Sequence, residues 1–287
     1  MDLATHTHTP PQAVRRKPFP WGFVVRYLVL TFLAVFMLLP FLWQVLTSLK
    51  ILGEVNSQSL WPTIWQPRNY LEVFHRIAFA RYYLNSVLIA VWVTLLTVST
   101  SAMAAYAFSR LRWKGRDQVF LLYLATMMIP GVVLTIPNFW LMLQLHLYNS
   151  YAGLIIPAAF SAFGTFLLRQ FMLSLPRSID EAAEIDGASE WQIFTEIILP
   201  LSRPGLIVLA IFTFFGSYAS FFWPLILVKD DALRTLPIGM LNFQGTHGTE
   251  TNLLMAASVM SILPLILLFI LLQKHLVKGI QLGAVKG

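Results

Sequence analysis

The residues best placed for chemistry are acidic and crowded into one stretch. Asp180, Glu181, Glu184, Asp186, Glu190 and Glu196 all lie between Ser178 and Arg203, in a chain with only 13 Asp and Glu. The chemistry such a cluster offers is electrostatic: carboxylates along a helix present charge to a basic partner. Zero cysteines exclude disulfides, thiolate metal sites and cysteine nucleophiles. We assign no catalytic residue and no metal site; His6 and His8 belong to a polar tail.

Local signals predict how this stretch folds. Ser178 stands three residues before Glu181 and Ser189 three before Gln192, two capping-box patterns that each open a short helix. Gly187 sits between them, where a left-handed backbone stops the first helix and turns the chain. On the first helix Ala182 and Ala183 form a low ridge that a partner's groove can approach, flanked by Glu181, Glu184 and Asp186. On the second, Ile193, Phe194, Ile197, Ile198 and Leu199 are apolar and tie it to a membrane bundle before Pro200 and Pro204. Motion of the first helix would then pass to the segment beyond. On physics alone, an ordinary amphipathic surface helix reads the same way.

The elements that position this stretch are apolar. Of 287 residues 57% are hydrophobic and 11% charged, the mix of a membrane protein. Crossing ~30 Å of hydrocarbon takes roughly 20 residues. Six runs qualify: Tyr27 to Leu49, Leu84 to Phe108, Val119 to Leu143, Ala152 to Leu168, Gly205 to Val228 and Leu253 to Leu272. The fold expected is all-α, with residues 1–22 a disordered cytoplasmic tail, 23–272 the membrane domain with its loop at 176–204, and 273–287 a second tail.

Basic residues resist translocation and set orientation. Only Lys50, Arg68, Arg76, Arg81, Lys229 and Arg234 fall outside when both termini are cytoplasmic, so the topology is N-in, C-in. The net charge of +7 is thereby explained by topology and lipid headgroups, and no nucleic acid is expected. No span core carries a charge, which weighs against proton-coupled transport and electron transfer. Coordination of Na⁺ by backbone oxygens stays open, and with it an ion-coupled secondary transporter. Gln44, Asn138, Tyr218 and Ser220 are candidates to line a solute path, or to make helix-packing contacts.

The loop resembles the EAA motif of binding-protein-dependent ABC importer permeases: Glu-Ala-Ala, three residues, Gly, nine residues, Ile-x-Leu-Pro. Glu181, Ala182, Ala183, Gly187, Ile197, Leu199 and Pro200 fill every defined position. The ending GIQLGAVKG is similar to the tail of MalG-like carbohydrate permeases. The resemblance implies a six-helix type I importer permease in the bacterial inner membrane, with Glu181 to Gly187 as a coupling helix. It implies as partners a second homologous permease, two ATPase subunits that hold ATP and Mg²⁺, an extracytoplasmic solute-binding protein and a carbohydrate-like solute. The tail, Gly283, Ala284, Val285, Lys286 and Gly287, would reach between the ATPases. Because no Gly-x-x-x-x-Gly-Lys-Ser/Thr sequence occurs, hydrolysis must come from separate chains. Tyr218, Ala219 and Ser220 stand where many MalG-like chains have Trp-Asn-Asp or Trp-Asn-Glu, so the sugar is not named. A scaffold that recruits an ATPase without transport is the remaining rival.

Overall fold

Within hydrocarbon every backbone polar group must be paired inside its own segment, so long apolar runs fold as helices. The computed structural model describes residues 21–57, 59–245 and 248–284, and their regular structure is nearly all helical. A two-residue antiparallel pair, β1 (Gln244–Gly245) with β2 (Gly248–Thr249), is the exception among them. The chain forms two compact units, residues 1–44 and 45–287. In the first, the described residues belong to α1 (Trp21–Ser48), which contains Pro40.

The second unit continues with α2 (Asn69–Arg76), α3 (Phe79–Ser109), α4 (Arg116–Ala125), α5 (Thr135–Gln144), α6 (Tyr151–Ile155) and α7 (Ala162–Leu173). It then runs through α8 (Ser178–Ile185), α9 (Glu190–Gln192), α10 (Leu199–Leu201), α11 (Arg203–Tyr218), α12 (Phe222–Leu227), α13 (Leu236–Gly239) and α14 (Thr251–Ala284). At its centre α3 packs against α7 and α11, and α14 packs on α11 and α2.

Three of the six expected spans are unbroken helices long and apolar enough to cross a membrane, Gly22–Ser48, Phe79–Ser109 and Thr251–Gln273. The others are interrupted. The expected fourth span is Tyr151–Ala159 followed by Ala162–Leu173 at 41°. Phe160 and Ser161 are extended there, and Ser161 restarts the helix by accepting from the Gly164 N–H at 3.0 Å. The expected third splits into α4 and α5, because Ile129 takes the extended conformation that a following proline imposes (φ −82°, ψ 117°). The expected fifth ends at Tyr218 and resumes as α12. At the carboxyl end α14 continues past Leu272 through Gly283 to Ala284. Val285, Lys286, Gly287 and residues 1–20 lie outside the described residues.

Candidate coupling hairpin and central cavity

Gly187 has φ +83°, and the Ala188 N–H reaches back to the Ala183 carbonyl at 2.9 Å, closing α8 with a left-handed C-terminal turn. Ser189 then opens α9 with a complete capping box on Gln192. Ser178 makes no cap. The chain is already turning from Pro176 and Arg177, whose carbonyls accept from Ile179 and Asp180, so Ser178 is the first helical residue and not the residue before it. Beyond α9, Ile193–Ile198 is a π-helix leading into α10, where Pro200 has no N–H to extend the regular ladder. The rod Glu190–Leu201 meets α11 at 75°.

The hairpin has two faces. Ala183, Ile193, Phe194 and Ile198 are buried in one cluster with Ala105 of α3 and Leu209 of α11. Glu181, Ala182, Glu184, Asp186 and Gly187 are exposed, and Ile197, Leu199 and Pro200 are half-buried. The expected alanine ridge is therefore divided: neighbours on a helix point about 100° apart, so Ala182 faces out and Ala183 faces in. Two further residues of the outer face escaped the sequence reading, Ile185 (86% exposed) and Trp191 (64% exposed). The available signal was an apolar side chain set between carboxylates, at Glu184-Ile185-Asp186, with no helical-period partner.

The last turn of α3 and the residue that caps it hold both arms. The Tyr106 hydroxyl donates to Glu190 Oε2 at 2.6 Å, at the start of α9. Arg110 donates from Nη1 to Asp180 Oδ2 at 2.7 Å, in the first turn of α8, and from Nη2 to the carbonyls of Met172, in the last turn of α7, and Leu175, just past it. The Arg110 and Asp180 side chains are only 4% and 14% exposed. The Phe194 ring packs, tilted, against both Tyr106 (centroids 5.0 Å) and Trp191 (5.5 Å).

Beside the middle of α3 lies a cavity of about 420 Å³. Asn138, Thr213, Ser217, Ser220 and Thr235 give it polar lining, Trp223 an aromatic wall, and no Asp, Glu, Lys, Arg or His lines it among the described residues. Thr213, Ser217 and Ser220 recur at i, i+4 and i+7, one face of a helix carried into the break after α11. Other hydroxyls at the cavity are committed to structure: Thr97 donates to the Ala158 carbonyl at 2.8 Å and Ser86 accepts from the Leu236 N–H at 2.8 Å. Thr235 Oγ1 is buried without a partner. Of the sequence candidates, Asn138 and Ser220 line the cavity. Tyr218 is buried and donates to the Ser261 carbonyl at 2.9 Å, joining α11 to α14. Gln44 is half-buried on α1.

The far end of α3 is tied as well. Tyr82 donates to Asp231 Oδ1 at 2.7 Å, and Asn85 Nδ2 to the Ala232 and Arg234 carbonyls, both at 2.9 Å. Nearby Arg76 pairs with Glu250, and that hydrogen bond raises the guanidinium pKa further above its ordinary value.

A family model described as "Binding-protein-dependent transport system inner membrane component" matches residues 97–282, from the middle of α3 through the hairpin and cavity into α14. The chain belongs to this family. Within these inner membrane components it is 34% identical to the arabinooligosaccharides transport system permease protein AraQ of Halalkalibacterium halodurans, over 96% of this chain and 100% of that one. It is 36% identical to the trehalose/maltose transport system permease protein MalG of Thermococcus litoralis, over 89% of this chain and 94% of that one. A crystal structure of a bacterial ABC transporter involved in the import of the acidic polysaccharide alginate has a chain of the same fold. It superposes with TM-score 0.79 over 93% of this chain and 99% of that one, at 23% identity.

Proposed function

We propose that this inner membrane component is one of two homologous permease subunits of an ATP-driven importer in the bacterial cytoplasmic membrane, and that its solute is an uncharged carbohydrate. The observation that carries the reading is the two-faced hairpin. Its outer face offers carboxylates around two bare apolar side chains, the make-up of a docking patch, and its inner face is rooted in the helices beside the cavity. The exposed residues Glu181, Ala182, Glu184, Asp186 and Gly187 seat in an ATPase chain, while Ile197, Leu199 and Pro200 carry the motion toward α11. Two ATPase subunits hold ATP and Mg²⁺, an external solute-binding protein delivers the solute, and the tail from Gly283 to Gly287 adds a second contact with the ATPases.

The solute class rests on the relatives' names and on the cavity. Free hydroxyl and amide groups beside an indole suit a polyhydroxylated ring, and a lining without cations offers an acidic sugar no counter-charge. Asn138 and Ser220, with Thr213 and Ser217, form this chain's share of the path. The test is reconstitution with partner permease, ATPase and binding protein, reading ATP hydrolysis across neutral sugars, polyols and acidic sugars. Stimulation by a binding protein loaded with a neutral sugar is expected. Stimulation only by acidic sugars would overturn the solute class, and none by any sugar would overturn carbohydrate import.

A further inference from the structure

We infer that Tyr106 and Arg110 are positioning residues that lock the coupling hairpin to α3, so that α3, and not only α11, carries hairpin motion to the cavity. The inference rests on the reading that the hairpin meets an ATPase. It starts from a difference between two routes out of the hairpin. The covalent route passes through a π-helical stretch, Pro200, and a 75° joint at Ser202 before α11 begins. Such a joint absorbs part of any displacement, because bend angle and helix register can both change there. The non-covalent route has no joint. Tyr106 in the last turn of α3 grips the start of α9, and Arg110, the residue that caps α3 one turn further on, grips the start of α8.

Helix α3 is suited to be a shaft. Its 31 residues contain neither proline nor glycine and run unbroken from Phe79 to Ser109. At 1.5 Å per residue, Tyr82 and Tyr106 stand ~36 Å apart along its axis. Between them Ser86, Ile89, Val93 and Thr97 line the cavity. At the far end Tyr82 and Asn85 hold the segment Asp231 to Arg234, and Ser86 holds Leu236. The same helix is therefore bonded to the hairpin, to the cavity wall and to the segment from Asp231 to Leu236 at the opposite end. A small rotation of the hairpin turns all three together, whereas α11 follows through its joint.

The chain has no cysteine, so introduced cysteines can be spin-labelled without background. Labels at Ser178→Cys and Met103→Cys, exposed positions on the hairpin and on α3, report their separation. Ser178→Cys with Phe212→Cys reports hairpin to α11. In the assembled complex, nucleotide-free and vanadate-trapped states should give the same hairpin–α3 distance and different hairpin–α11 distances. Tyr106→Phe, which keeps the ring and removes only the bond to Glu190, should lower solute carried per ATP several-fold while ATPase subunits still co-purify. Asp180→Asn should do the same and Asp180→Glu should restore it. A hairpin–α3 distance that changes as much as the hairpin–α11 distance would overturn the inference, as would wild-type transport per ATP in the Tyr106→Phe/Asp180→Asn double variant. A wild-type complex with no solute-stimulated hydrolysis would defeat the proposed function and the inference with it. An intact wild-type response with a variable hairpin–α3 distance would defeat the inference alone.

Discussion

The ring of Tyr82 lies so close over Gly239 that a β-carbon built there would fall 2.1 Å from Tyr82 Cδ2. Tyr82 is buried near the start of α3, and Gly239 ends α13, so this contact sets how α13 sits on α3. Gly239→Ala must displace a ring that is held through its hydroxyl by Asp231. Overpacking of this kind costs ~1–3 kcal/mol. The purified protein should unfold at a lower temperature, and an unchanged Tm would show that the ring yields freely.

The turn at Gly187 separates backbone strain from crowding. Its φ is +83° and nothing lies within 4 Å of a β-carbon built there. Gly187→Val should therefore destabilise the turn by ~1–2 kcal/mol through conformation alone, while Gly187→Asn, which tolerates the left-handed region, should be milder. Solute-stimulated ATP hydrolysis ranked wild type, Asn, Val is the expected order. Equal activity in all three would remove the turn from the coupling path.

Removing Arg110 leaves Asp180 and two carbonyls without their donor in a largely buried site. Breaking a buried pair from one side is expected to cost ~3–5 kcal/mol. Arg110→Ala should lower the Tm markedly. Arg110 Nε and Asp180 Oδ1 are buried without partners, so Arg110→Met with Asp180→Leu should recover part of that loss. A double variant less stable than Arg110→Ala would argue that the ion pair itself is strongly stabilising.

The cavity hydroxyls divide into free and committed ones. Thr97→Val deletes a bond to the Ala158 carbonyl and should lower stability by ~1 kcal/mol. Thr213→Val and Ser217→Ala should leave the Tm in place and raise the solute concentration needed for half-maximal uptake. The reverse pattern would assign the α11 stripe to packing.

At the outer face of the hairpin, Trp191 and Ile185 are the large apolar side chains most open to a partner. Central aromatic anchors of an interface are worth ~2 kcal/mol or more on truncation, about thirtyfold in affinity. Trp191→Ala should reduce ATPase retention on a column by that order, and full retention would place the docking contact elsewhere.

Features decided within a few residues were legible in the sequence, and features decided across the chain were not. The Gly187 turn and the Ser189 cap follow from neighbours alone. The Ser178 cap fails because Pro176 starts the turn two residues earlier. Hydropathy found the apolar runs but averages over their interiors, so it missed the breaks at Phe160 and Ala219, whereas the one at Ile129 is set locally by Pro130. The grip of Arg110 on Asp180 spans 70 residues of sequence and that of Tyr106 on Glu190 spans 84, and nothing local announces either. The inward turn of Ala183 depends on the same packing.

The uncharged lining of the cavity has an electrical consequence. A membrane potential of 100 mV is worth about 2.3 kcal/mol for each unit charge moved across it, and nothing for a neutral molecule passing neutral walls. Import through this subunit should then proceed at the same rate in polarised and depolarised vesicles, blind to voltage.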